Sequence, residues 1–140
     1  MSSVRKKDQA EHRFTVLDKV LDMYSHTITV ISNDKIFDRT YSSMISRIEE
    51  EARTIYHYVR SANEDYDNRK QDEALMRIKL QEQAIELCKW LKTDVRLAKN
   101  VFHLRAKKVA YWTKLINESM AAINGWHIGE KRNYRETYGL

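Results

Sequence analysis

The stretch Tyr41–Ala62, YSSMISRIEEEARTIYHYVRSA, decides the fold. Tyr41, Ile45, Ile48, Ala52, Ile55, Val59 and Ala62 fall at alternating three- and four-residue steps. That spacing lays them along one face of an α-helix and leaves charged and polar residues on the other. The same pattern recurs three times. Phe14, Leu17, Leu21, Tyr24, Ile28 and Ile31 mark a first helix. A third segment, about 68–99, carries Ala74, Ile78, Ile85, Cys88, Leu91, Val95 and Ala98, widened by Leu75, Leu87 and Trp90. A fourth carries Val109, Trp112, Ile116, Ser119, Ile123 and Trp126.

The connections are short. Ser32-Asn33-Asp34 and Asp38 supply turn and N-cap chemistry between the first two helices. Asn63 to Asn68 is a second polar turn, and Asn100 is placed to end the third helix in the left-handed conformation. Gly125 and Gly129 weaken helix beyond Trp126. These features predict an all-α protein, an antiparallel up-down four-helix bundle. They divide the chain into a basic N-terminal arm (1–13), the bundle (14–127) and a polar C-terminal tail (128–140), ordered on binding a partner. With 140 residues, no Pro and three Gly, the chain fits one domain and not a turn-rich β-sandwich. One Cys excludes an intramolecular disulfide. The absence of a long apolar run predicts a soluble, cytoplasmic protein with no membrane partner.

Catalytic constellations are missing. Di-iron bundles use paired Glu-x-x-His motifs, but Met23, Thr54, Asn100 and Asn124 stand three residues before His26, His57, His103 and His127. Glu49-Glu50-Glu51 reads as a solvated face. Cys88 lies on the apolar stripe and reads as a buried thiol. The sequence therefore predicts no enzyme, no metal site and no cofactor.

Charge is the informative feature. From Lys89 to Lys114, eight basic residues (Lys89, Lys92, Arg96, Lys99, Arg105, Lys107, Lys108 and Lys114) face one acid, Asp94. Cations about one helical turn apart can follow a phosphate backbone and release its counterions. Lys107 and Lys108 oppose the helix dipole at the start of the fourth helix, which makes sense where an external anion resides. Lys131 and Arg132 extend the candidate nucleic-acid contacts into the tail. Tyr56, Tyr58, Tyr66, Tyr134 and Tyr138 lie off the main stripes, where they could stack on bases or pack at a rim. The apolar excess of Trp90, Leu87 and Leu75 predicts a homo-oligomer.

Ser61-Ala62-Asn63, Arg77 with Gln83-Ala84, Tyr111-Trp112-x-x-Leu115 and Gly125-Trp126 together carry a resemblance over about residues 14–132. The chain resembles the bacterial four-helix-bundle family of the rRNA intervening-sequence proteins. Within that family it looks closest to the accessory variability determinants of diversity-generating retroelements. The resemblance implies a ring- or barrel-like homopentamer that binds a reverse transcriptase and structured template RNA, and possibly cDNA. In such a complex the accessory protein has no polymerase site and supports error-prone cDNA synthesis. The basic arm and longer polar tail depart from that pattern. The competing reading is a protein–protein interaction module of the same fold with no nucleic-acid role, because fold does not dictate function.

Overall fold

The computed structural model describes the backbone of residues 2–139 and the side chains of residues 15–139. Among the described residues there are four long α-helices: α1 (Ser2–Ile31), α2 (Ser42–Glu64), α3 (Gln71–Val101) and α4 (Ala106–Tyr138). A 3₁₀ turn, Arg39–Tyr41, leads into α2, and no strand is present among the described residues. At 1.5 Å per residue the helices are about 35–50 Å long. Each packs chiefly on two others, in the cyclic order α1, α2, α3, α4. No helix among the described residues is long and apolar enough to cross a membrane.

Helix α2 buries the face its spacing predicts, Ile45, Ile48, Ala52, Ile55, Val59 and Ala62, whereas Tyr41 stays in the exposed 3₁₀ turn. Helix α4 buries Trp112, Ile116, Ser119, Ile123 and Trp126. The α1 expectation is displaced by one residue over most of the helix, although Ile31 is buried as expected. Val16, Val20, Met23, Thr27 and Val30 are buried, while Leu21 is exposed and Leu17, Tyr24 and Ile28 pack at the margin. Phe14 and the basic Arg5-Lys6-Lys7 lie outside the described side chains, and the backbone of residues 2–13, expected as a separate arm, is the first part of α1. Thr27 fits the core because its hydroxyl accepts a hydrogen bond from Trp112 Nε1 at 3.0 Å and donates to the Met23 carbonyl at 2.9 Å. Farther along the same pair of helices, Ser119 Oγ donates to the Lys19 carbonyl at 3.1 Å.

At one end of the bundle, Asp38 caps the 3₁₀ turn by accepting from the Thr40 N–H at 2.9 Å. The loop before it sends Phe37, fully buried, against Phe102 and Trp112 with ring centroids 4.5 and 6.3 Å apart. Helix α3 ends later than expected. His103, not Asn100, takes the left-handed conformation (φ 53°), and the Leu104 N–H closes back on the Lys99 carbonyl at 3.1 Å. A non-glycine residue costs about 1–2 kcal/mol there, which the burial of Phe102 and Leu104 on either side can offset.

Residues 128–140, expected as a tail, mostly continue α4. Packing overrides the weak glycine propensity: Glu130 and Tyr134 are buried, and Gly139, at φ 76°, terminates the helix. Tyr134 accepts from Gln71 Nε2 at 3.1 Å, and Tyr138 donates to the Asn68 carbonyl at 3.0 Å, fastening α4 to the α2–α3 turn.

Candidate nucleic-acid interface

The basic run divides between the outer surface of α3 and the beginning of α4. Lys89, Lys92, Thr93 and Arg96 line a shallow depression of about 210 Å³ on α3. Three- and four-residue spacing puts the cations on one strip, and Thr93, donating to the Lys89 carbonyl, lies between them. Lys99 is exposed one turn farther on, outside that depression. Arg105 occupies the N-cap position of α4 without a side-chain cap, and no acid stands in the first turn. Lys107 is exposed there, and Lys108 is half-buried.

The one acid in the run does not neutralise it. Asp94 is buried against α2, where Arg47 grips it with Nε at 3.1 Å and Nη2 at 2.9 Å. Among the described residues, only two of the eight cations have acidic partners: Lys89 with Glu86 at 3.7 Å and Lys114 with Glu118 at 3.9 Å. Exposed pairs of that length contribute little. Lys92, Arg96, Lys99, Arg105, Lys107 and Lys108 therefore present positive charge that no described acid compensates.

Lys131 and Arg132 stand far from the start of α4. They lie in the last third of α4, roughly 40 Å along the helix from Arg105. Their neighbour Glu130 turns inward. It forms a buried ion pair with Arg77, 2.6 Å between Nη2 and Oε1, and accepts from Asn68 Nδ2 at 3.2 Å. Arg77 also donates to the carbonyls of Ala62 and Tyr66 at 2.7 and 2.9 Å. Sequence spacing conceals this cluster, because its charged partners come from different helices.

The tyrosine expectation also changes. Tyr134 is buried, and Tyr56, Tyr58, Tyr66 and Tyr138 are half-buried. Among the described residues, the large rings open to solvent are Trp90, Tyr111 and Tyr41. Trp90 borders the α3 cations, sharing a dip with Glu86, Lys89 and Thr93.

Titratable groups elsewhere have structural explanations. Cys88 is fully buried, and burial pushes its thiol up to about 12. Glu51, expected on a solvated face, instead sits at the α2–α3 seam. Burial, then a hydrogen bond shared with Asp94, raises its carboxyl to about 8. Burial opposes the charge on Asp94, but the hydrogen bonds from Glu51 and Arg47 outweigh it and hold that carboxyl below its usual value. His127 is buried with Nε2 3.2 Å from Glu82 Oε1. Among the described residues, no group of three or more His, Cys, Asp or Glu is arranged to hold a metal ion. No protein-family model, characterised protein or solved structure matches the chain.

Proposed function

We propose that this chain is a non-catalytic accessory subunit that binds structured RNA through the phosphate backbone and docks on a reverse transcriptase, as in a diversity-generating retroelement. The observation that carries the RNA reading is the unbalanced charge of α3 and the start of α4, whose one acid is buried beneath Arg47. The reverse-transcriptase partner rests on the family resemblance. An antiparallel up-down arrangement fits the contacts. Trp112 meets Thr27 and Ser119 meets Lys19 between α4 and α1, while Arg47 meets Asp94 and Ala62 meets Arg77 between α2 and α3. In this reading the bundle assembles in the cytoplasm as a homo-oligomer, a pentamer by the same resemblance.

A second reading, a protein-docking module with no nucleic-acid role, draws on the exposed apolar residues Met76, Trp90 and Leu97, which keep a heptad register along α3. Titration of a structured RNA at several salt concentrations separates the two. Phosphate contacts position a strand without reading its bases. Neutralising Arg96 and Lys99 (R96Q/K99Q) should therefore weaken unrelated RNAs about equally. It should also lower the slope of log affinity against log salt by roughly one for each phosphate no longer neutralised. An unchanged slope in a folded double variant refutes the α3 assignment, and absence of RNA binding by the parent chain favours the docking module.

A further inference from the structure

Where the α3–α4 turn meets the α1–α2 loop, a cavity of about 580 Å³ opens at the end of the bundle. Its basic wall combines Lys35 from the loop with His103, Arg105 and Lys108 from the turn and the first turn of α4. Its apolar wall is formed by Ile36, Phe102 and Leu104. The volume falls within the range of small-ligand pockets, about 300–1,000 Å³. The fold creates this mixture. The left-handed His103 reverses the chain, so that Leu104 is buried while Arg105 emerges as the N-cap of α4.

Among the described residues, Lys35, His103, Arg105 and Lys108 make no side-chain ion pair or hydrogen bond. The effect of Lys108 reaches the neighbouring α1 helix, where burial and then that ammonium push the His26 imidazole below its usual value. The first-turn N–H groups of α4 have no side-chain cap and add a partial positive charge to the same region. Cations without acidic partners favour an anion, and Ile36 with the exposed edges of Phe102 and Leu104 favours an organic body carrying it. Inorganic phosphate would leave the apolar wall unused, and an uncharged ring would leave the cations unused.

We infer that this cavity binds a nucleoside 5′-phosphate, with the phosphate among Lys35, Arg105 and Lys108 and the nucleoside against Ile36 and Phe102. Two sources supply that chemistry: a free nucleotide, or the phosphorylated 5′ end of an RNA strand. The second source rests on the RNA-binding reading above, and the first does not. Lys35 belongs to this cavity and not to the basic surface of α3 and α4, whereas Arg105 and Lys108 belong to both.

Calorimetric titration of the full chain with 5′-AMP, adenosine and inorganic phosphate at low salt tests the site. AMP should bind at least about tenfold tighter than either fragment, because only AMP uses both walls. K35Q and R105Q should each weaken AMP about three- to tenfold with circular dichroism unchanged, whereas R96Q/K99Q should leave AMP affinity intact. Competition between one short oligoribonucleotide bearing a 5′-phosphate and the same strand bearing a 5′-hydroxyl identifies the source. A preference for the phosphate that K35Q abolishes supports the strand end, and AMP binding without that preference supports the free nucleotide. AMP binding no better than adenosine and phosphate, or AMP affinity unaffected by K35Q and R105Q, overturns the inference. A reduced salt slope in R96Q/K99Q with AMP binding preserved shows that the two readings stand separately.

Discussion

Arg77 and Glu130 meet across the α3–α4 seam with only 2% and 5% of their side chains exposed. Arg77 also serves the carbonyls of Ala62 and Tyr66, so a single guanidinium joins the end of α2, the α2–α3 turn and α4. It also lies near Trp126, 5.8 Å from the ring centroid.

Removing Arg77 alone should therefore be severe. R77M leaves the Glu130 carboxylate buried without its cation, a change that typically costs about 3–5 kcal/mol. R77M/E130L should recover part of that loss but not all of it, because the Ala62 and Tyr66 carbonyls still lose their donor. Urea unfolding of the two variants beside the parent measures both effects.

Trp112 should behave as a packing residue with one specific hydrogen bond. W112A should cost about 3–5 kcal/mol, the usual range for deleting a large buried ring. T27V keeps the shape but leaves Trp112 Nε1 without its acceptor, and should cost about 1–3 kcal/mol. If W112A melts like the parent, the ring does not support the α1–α4 contact.

The carboxyl pair Glu51–Asp94 should make stability depend on pH. The folded pKa of Glu51 is raised to about 8, so the folded chain holds a proton that the unfolded chain has already released. Stability from this group is present below the ordinary glutamate range and is lost as pH rises toward about 8. E51Q keeps a donor toward Asp94 and removes the titration. It should melt like the parent near pH 5 and higher than the parent near pH 8.5. Screening at a half-exposed site limits the gain to about 1 kcal/mol, or about 3 °C. Melting curves across that range provide the measurement.

Some of these relationships are legible in the sequence. The buried face of helix α2 is readable because Ile45, Ile48, Ala52, Ile55, Val59 and Ala62 form one seam, whereas the place of Glu51 beside Asp94 is not. Helix α1 carries two adjacent apolar faces, Leu17, Leu21, Tyr24 and Ile28 beside Val16, Val20, Met23 and Val30. The deciding residue there is Thr27, whose polarity suggests a surface position until Trp112 is seen to donate to it. The continuation of α4 past Gly125 is hidden because propensity weighs about 1 kcal/mol against glycine. Tertiary contacts through Trp126, Glu130 and Tyr134 outweigh that preference. Cations repeating along α3 announce themselves by spacing alone. Lys35 lining one cavity with Arg105 does not, because only the folded loop brings it there.

The exposed strip of α3 offers the last prediction. Met76, Trp90 and Leu97 keep a heptad register on its outer surface, and Trp90 is 58% exposed. A large ring left in water beside cations has two uses that experiment can distinguish. If the strip closes a homo-oligomer, W90S should lower the mass seen by sedimentation while changing monomer stability only within about ±0.5 kcal/mol. If Trp90 stacks on a base, W90S should keep the parent's mass and weaken RNA by about 1–3 kcal/mol. The salt slope should then persist, since Arg96 and Lys99 still neutralise phosphates. Leu97, exposed one heptad from Trp90, favours the first outcome, because stacking requires only one ring while a helix–helix seam requires further apolar residues on the same face. Sedimentation velocity on the parent and W90S at micromolar concentration checks it, and a parent that sediments as a monomer removes the oligomer from the account.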